Sequence, residues 1–136
     1  MTEKVLVWVV DDDEAIRFVL ERALSRDGYA TKTFGSVTDI VVALDDTQPA
    51  VFITDIRLPD ADGLSVLAAL EERKIEIPVI AMTAFSDLDQ AVTAFQSGVF
   101  DYLSKPFDLD KVLAVVARAS AVPSDVPADE EPGTAN

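Results

Sequence analysis

Cysteine and histidine are both absent from the 136 residues. Without cysteine there is no disulfide, no thiolate nucleophile and no thiolate metal site. Without histidine there is no imidazole base, no phosphohistidine on this chain and no His-ligated zinc. Basic residues are scarce, 11 against 25 acidic ones, and the net charge of −14 argues against nucleic-acid binding by this region. Long apolar runs are missing too: none approaches the roughly 18 residues of a membrane helix. Met1-Thr2-Glu3-Lys4 leads straight into a short apolar run with no signal-peptide cleavage pattern, so a cytoplasmic location is expected. What is present is enough for a core. Hydrophobic residues make up 49% of a chain of one-domain length, which excludes global disorder. An acidic chain with only oxygen ligands favours hard cations, Mg²⁺ before any soft metal.

Strand and helix patterns alternate along the chain. Val5 to Val10 is a continuous apolar run, as in a strand buried on both faces. Ile16, Val19, Leu20, Ala23 and Leu24 then follow helical spacing, with Asp13 and Glu14 at the start and Gly28 past the end. Ala30 to Phe34 reads as a second strand, and Ser36 with Asp39 opens a helix carrying Ile40, Val41 and Leu44. Val51 to Ile53 is a third strand running into Thr54-Asp55. The turn-rich segment from Leu58 to Gly63 follows, then a helix marked by Leu64, Val66, Leu67 and Leu70. Pro78 to Met82 is predicted as the fourth strand, ending at Thr83-Ala84. Ser86 and Asp89 cap a fourth helix with Leu88, Val92 and Phe95, which Gly98 stops. Val99 to Leu103 is predicted as the fifth strand. Asp108 caps a last helix with Leu109, Val112, Leu113 and Val116, ending near Ala121. Such alternation implies a parallel sheet with helices on both faces. The chain divides into an ordered domain, residues 1–121, and an acidic, proline-rich tail or linker, residues 122–136, which carries four of the negative charges.

Ligands of open parallel α/β sheets bind outside the carboxyl ends of the strands. The predicted first strand ends in Asp11-Asp12-Asp13, the third in Asp55, the fourth in Thr83 and the fifth in Ser104-Lys105-Pro106. The second ends in Phe34-Gly35, which offers little chemistry. Each residue has an ordinary reading alone: helix-dipole partner, turn residue, strand threonine, solvated lysine. Their common position at one edge of successive strands points to a site. Two like charges 4 Å apart cost about 4 kcal/mol at an effective dielectric near 20. Such a cluster therefore calls for a cation or for protons. With Mg²⁺ bound, one carboxylate can attack phosphorus while the metal and a lysine offset charge on the phosphoryl oxygens.

In these motifs the sequence resembles the response-regulator receiver domain, the phosphoacceptor module of two-component signalling. The resemblance spans residues 4–121 and rests on Val9-Val10-Asp11-Asp12 with Ile16-Arg17, on Thr54-Asp55 through Gly63, on Met82-Thr83-Ala84 and on Lys105-Pro106-Phe107. Within the family it looks most like the NtrC-type nitrogen regulators, as in Phe100-Asp101-Tyr102 running to Asp108. The resemblance implies a flavodoxin-like (βα)5 fold, a doubly wound five-stranded parallel sheet in the order 2-1-3-4-5. It implies that Asp55 accepts phosphate from a sensor histidine kinase. Asp12, Asp55 and the Arg57 backbone carbonyl would ligate Mg²⁺, with Asp11 acting through a water. Thr83 and Lys105 would bind the phosphoryl group, Tyr102 would turn inward on activation, and a cis peptide would join Lys105 to Pro106. The face made by the fourth helix, fifth strand and fifth helix would meet output domains or a second receiver, with dimerisation possible on phosphorylation. The output would be sigma-54-dependent transcription of nitrogen-related genes. The chain would be no enzyme beyond its own phosphotransfer and autodephosphorylation.

Two other readings compete. A Mg²⁺-dependent phosphohydrolase with an aspartate nucleophile usually carries a second carboxylate two residues later, where this chain has Arg57. A degenerate receiver used only for protein contacts is disfavoured, because Asp11, Asp12, Asp55, Thr83 and Lys105 are all present.

Overall fold

A computed structural model describes residues 4–58, 65–84, 98–105 and 108–121. The chain runs β1 (Leu6–Val10), α1 (Glu14–Arg26), β2 (Ala30–Phe34), α2 (Val37–Leu44), β3 (Val51–Asp55), α3 (Ser65–Glu72), β4 (Val79–Ala84), β5 (Asp101–Lys105) and a C-terminal helix (Leu109–Ser120). The five strands form one sheet in the order β2-β1-β3-β4-β5, and every pairing is parallel. This is the doubly wound arrangement that the alternation implied.

Strand side chains alternate between faces with period two, and the core divides accordingly. Trp8, Val10, Phe52 and Ala81 pack with Ile40, Leu44, Val66 and Leu70 of α2 and α3. Val7, Val9, Val51, Ile53, Ile80, Met82 and Leu103 pack with Leu20 and Leu24 of α1 and with Val112 and Val116 of the C-terminal helix. β1 and β3 are covered on both sides, so they need apolar residues at both parities. That is why Val7 to Val10 and Val51 to Ile53 are uninterrupted apolar runs.

Local capping chemistry fixes where helices begin. Asp13 accepts from Ala15 N–H, Ser36 from Asp39 N–H, and Asp108 from Asp110 N–H. The end of α1 closes with Tyr29 N–H donating to Leu24 C=O and Gly28 N–H to Ser25 C=O, around Gly28 at φ +95°. The end of α3 repeats this device with Ile75 bonded to Leu70 and Lys74 to Glu71, but Lys74 occupies the left-handed position, at φ 56°. A side chain there costs about 1–2 kcal/mol, offset in part by the extra freedom a glycine brings to the unfolded chain. Lys74→Gly is expected to raise stability by about 0.5–1 kcal/mol, read as a higher midpoint in urea unfolding.

Several boundaries differ from the sequence reading. β4 begins at Val79 rather than Pro78 and runs through Thr83-Ala84, where Thr83 pairs with Ser104 and Ala84 with Lys105. Pro78 has no N–H for the ladder and contributes only its carbonyl, which accepts from Phe52 N–H over 3.1 Å. β5 spans Asp101–Lys105 rather than Val99 to Leu103. It is an edge strand, so its ladder is set by β4 on one side and tolerates polar residues that hydrophobic patterning passes over. β1 begins at Leu6, one residue late. Val19 (40% exposed) and Leu109 (37%) do not join the core although they sit in the predicted stripes. The sheet covers a narrower arc of each helix than the apolar spacing spans. The predicted turn through Gly63, Leu64, the fourth helix with Ser86, Leu88, Asp89, Val92 and Phe95, the Pro106 peptide and the 122–136 tail lie outside the described residues.

Candidate functional site

Face parity and strand ends together assemble the site. Asp11 continues the Val7-Val9 parity of β1, Asp55 the Val51-Ile53 parity of β3, and Lys105 the Leu103 parity of β5. The three side chains therefore meet at one edge of the sheet. Lys105 Nζ donates to Asp11 Oδ2 over 2.7 Å and to Asp55 Oδ2 over 3.0 Å. Asp11 is fully buried and Asp55 is 8% exposed, while Asp12 is exposed. Ligand oxygens of Asp11, Asp12 and Asp55 all lie within 4.8 Å of one another.

Backbone donors hold both buried carboxylates in place. Asp11 Oδ1 accepts from Asp13 N–H at 2.9 Å, and Asp55 Oδ1 accepts from Arg57 N–H at 3.1 Å. Burial pushes the Asp11 carboxyl above the ordinary carboxylate range. The hydrogen bonds from Lys105 and Asp13 and the Lys105 charge pull it back only in part, and the Asp55 charge adds to the rise. For Lys105 burial works against the ammonium, but the hydrogen bonds to Asp11 and Asp55 outweigh it and hold the lysine above its usual value. The proton stays on the lysine.

Thr83 lies on the other parity, with Ala81 and, across the β4–β5 ladder, Tyr102 and Ser104. Its Oγ1 is buried and has no hydrogen-bond partner among the described residues. Leaving such a group unpaired costs about 1–3 kcal/mol. Isosteric Thr83→Val is expected to stabilise the resting protein by about 1 kcal/mol, measured by urea unfolding. An unchanged or lower midpoint would show the hydroxyl already satisfied. Tyr102 is half-buried and packs against the α2–α3 side of the core, paired with Ala81 two register positions before Thr83.

The chemistry of this donor set suits a hard divalent cation. Three carboxylates, Asp11, Asp12 and Asp55, against one ammonium, Lys105, leave two net negative charges at the edge. Every ligand atom in the cluster is oxygen, as Mg²⁺ requires. A separate hollow of about 530 Å³ beside Leu67, Leu70, Lys74 and Ile75 opens at the opposite end of the sheet and brings no comparable chemistry together.

The structure thus brings Asp11, Asp12, Asp55 and Lys105 together and sets Thr83 on the neighbouring strand end. Sequence reasoning gave no role to Arg17, which bonds the Asp11 backbone carbonyl, or to Gly35, which lies against the Arg17 guanidinium. The available signal was position: Arg17 is six residues after Asp11, on the turn of α1 that folds back over the strand end.

This fold and acidic edge are those of a signalling receiver domain, and the comparisons agree. The chain belongs to the response regulator receiver domain family, whose pattern matches residues 7–117. It is 55% identical over 113 residues to the DNA-binding transcriptional regulator NtrC of Proteus hauseri, covering 83% of this chain and 24% of that protein. The NtrC of Escherichia coli is 52% identical over 114 residues, covering 84% of this chain and 24% of that protein. The chain thus spans about a quarter of the length of these relatives. Among solved structures, the receiver domain of NtrX from Brucella abortus superposes with a TM-score of 0.81 at 30% identity, covering 86% of this chain and 99% of that one. No helix among the described residues is long and apolar enough to cross a membrane.

Proposed function

We propose that this chain is the switch of an NtrC-type two-component regulator, phosphorylated on Asp55. The observation that carries the reading is the Lys105 ammonium spanning Asp11 and Asp55, with the Thr83 hydroxyl at the neighbouring strand end lacking a hydrogen-bond partner among the described residues. An Asp55 carboxylate oxygen attacks the phosphorus of a partner's phosphohistidine. The P–N bond breaks, and the freed imidazole leaves with its electron pair and takes a proton. The histidine must belong to the partner, a sensor kinase, since this chain has none. Asp12, Asp55 and the Arg57 backbone carbonyl would hold Mg²⁺, with Asp11 acting through a water, and the ion would supply positive charge against the phosphoryl oxygens.

Lys105 then pairs with the phosphoryl oxygens, and the Thr83 hydroxyl donates to one of them. Lys105 would trade part of its bridge to the carboxylates for the phosphoryl oxygens, and Thr83 would gain the acceptor it lacks among the described residues. Tyr102, on the same face as Thr83, moves inward as that strand end shifts. The group biases an equilibrium between two conformations. The readout would be the face that the sequence assigns to the fourth helix, β5 and the C-terminal helix, meeting output domains or a second receiver, with a homodimer possible on phosphorylation. Residues 1–121 form the receiver and 122–136 a tail or interdomain linker, and the output would be sigma-54-dependent transcription of nitrogen-related genes in the cytoplasm. The NtrC relatives support that output. Beyond its own phosphotransfer and autodephosphorylation the chain turns over no substrate. A phosphohydrolase is disfavoured by Arg57 at the position where that class carries its acid/base carboxylate.

The test is Mg²⁺-dependent labelling by acetyl phosphate, followed by intact mass and mapped by peptide. One phosphoryl group on Asp55, absent in EDTA, is the expected result. Equal labelling without a divalent cation overturns the reading.

A further inference from the structure

The phosphotransfer reading makes no use of the way Arg17 is held. Its Nη1 donates to the Asp11 carbonyl oxygen over 2.6 Å. The same guanidinium lies over Gly35 at the end of β2. A Cβ on Gly35 would stand 3.2 Å from Nη1 and 3.9 Å from Cζ. Gly35 is outside the left-handed region, so its missing side chain serves space rather than backbone conformation. The turn is also tied down by Asp11 N–H donating to Phe34 C=O at 3.1 Å and Arg17 N–H to Asp13 C=O at 3.1 Å.

The Asp11 carbonyl and the Asp12 N–H share one rigid peptide plane. Holding that oxygen sets the direction in which the chain leaves Asp11, and so where the Asp12 side chain begins. Asp12 is exposed, and among the described residues its carboxylate has no hydrogen bond or ion pair to aim it. The backbone alone does so. We propose that Arg17 is a positioning residue for the cation site: it clamps the Asp11–Asp12 peptide against the bare Gly35 and so directs Asp12 into the carboxylate cluster. The proposal rests on the reading that this cluster takes Mg²⁺.

Charge by itself makes the opposite forecast. A guanidinium near the site repels a divalent cation, so its removal should tighten binding. Positioning and charge therefore differ in sign, and one measurement separates them. Mg²⁺ is titrated calorimetrically into the full chain, and acetyl-phosphate labelling is followed against Mg²⁺ concentration. Wild type is compared with Arg17→Met, Arg17→Lys, Gly35→Ala and Asp12→Asn. Arg17→Met and Arg17→Lys are each expected to weaken Mg²⁺ binding about 10-fold, the low end for groups that orient metal ligands. The loss should appear in the half-saturating Mg²⁺ concentration rather than in the labelling rate at saturation. Gly35→Ala keeps every polar group and only displaces the guanidinium; it is expected to weaken binding about 2–3-fold, which serves even if Arg17→Met folds poorly.

Mg²⁺ binding by Arg17→Met that matches or exceeds wild type overturns the clamp. If Asp12→Asn binds Mg²⁺ weakly while both Arg17 variants bind normally, the clamp fails and the metal reading survives. If Asp12→Asn binds as tightly as wild type, the metal reading fails and takes the clamp with it.

Discussion

Asparagine in place of Asp55 is expected to reduce phosphoryl incorporation from acetyl phosphate to below about 1% of wild type, because a neutral amide lacks the nucleophilic carboxylate oxygen. The substitution is nearly isosteric. The amide oxygen still accepts from Arg57 N–H, a bond of 3.1 Å in the parent, and Lys105 keeps Asp11 at 2.7 Å. The loss is therefore chemical, not structural. Removing one of several crowded negative charges also relieves repulsion at the edge, so the variant should unfold at the same urea concentration as wild type or higher. Intact mass after incubation with acetyl phosphate and Mg²⁺ is the readout. Full incorporation at another residue would sink the assignment of Asp55.

Lys105→Met is expected to have the largest effect on stability. The lysine is the ammonium that bridges Asp11 and Asp55, and the Asp11 side chain is fully buried. Losing charge-assisted hydrogen bonds of this kind costs about 2–3 kcal/mol, a large share of the 5–15 kcal/mol or so that holds a typical domain together. The cost should depend on pH. Because the Asp11 carboxyl is raised in the folded protein, the folded state keeps that proton to higher pH than the unfolded chain does. Its contribution therefore falls as pH rises through and above the ordinary carboxylate range. Without Lys105 the carboxyl rises further. The deficit should be full in neutral to mildly alkaline solution and shrink as the solution is made acidic and Asp11 takes up its proton. Lys105 itself is raised, so its own contribution is lost only in strongly alkaline solution, above that window. Urea unfolding in EDTA, in neutral and in acidic solution, checks this. A pH-independent deficit would mean that the lysine acts by packing alone. In the same background acetyl-phosphate labelling should slow, since the phosphoryl oxygens lose a cation.

The sequence by itself determined the strand–helix alternation, the parallel sheet and the helix starts at Asp13, Ser36 and Asp108. These are properties of near neighbours. A cap is a hydrogen bond across two or three residues, and a buried strand declares itself by an unbroken apolar run. The same pattern placed Asp11, Asp12, Asp55, Thr83 and Lys105 at a common edge. Which of them touch was decided by the tertiary structure. Lys105 and Asp11 are 94 residues apart and Lys105 and Asp55 are 50 apart. Their meeting depends on strand register and face parity, which the ladder between β4 and β5 sets over a distance no local signal spans. The fifth strand moved two residues for that reason. Val19 and Leu109 show the converse: apolar spacing says which face of a helix can be buried, but only the packed sheet says how much of it is. Gly35 is the plainest case. Read alone it contributes no chemistry, and only the packed molecule shows that its missing side chain is the space into which Arg17 fits.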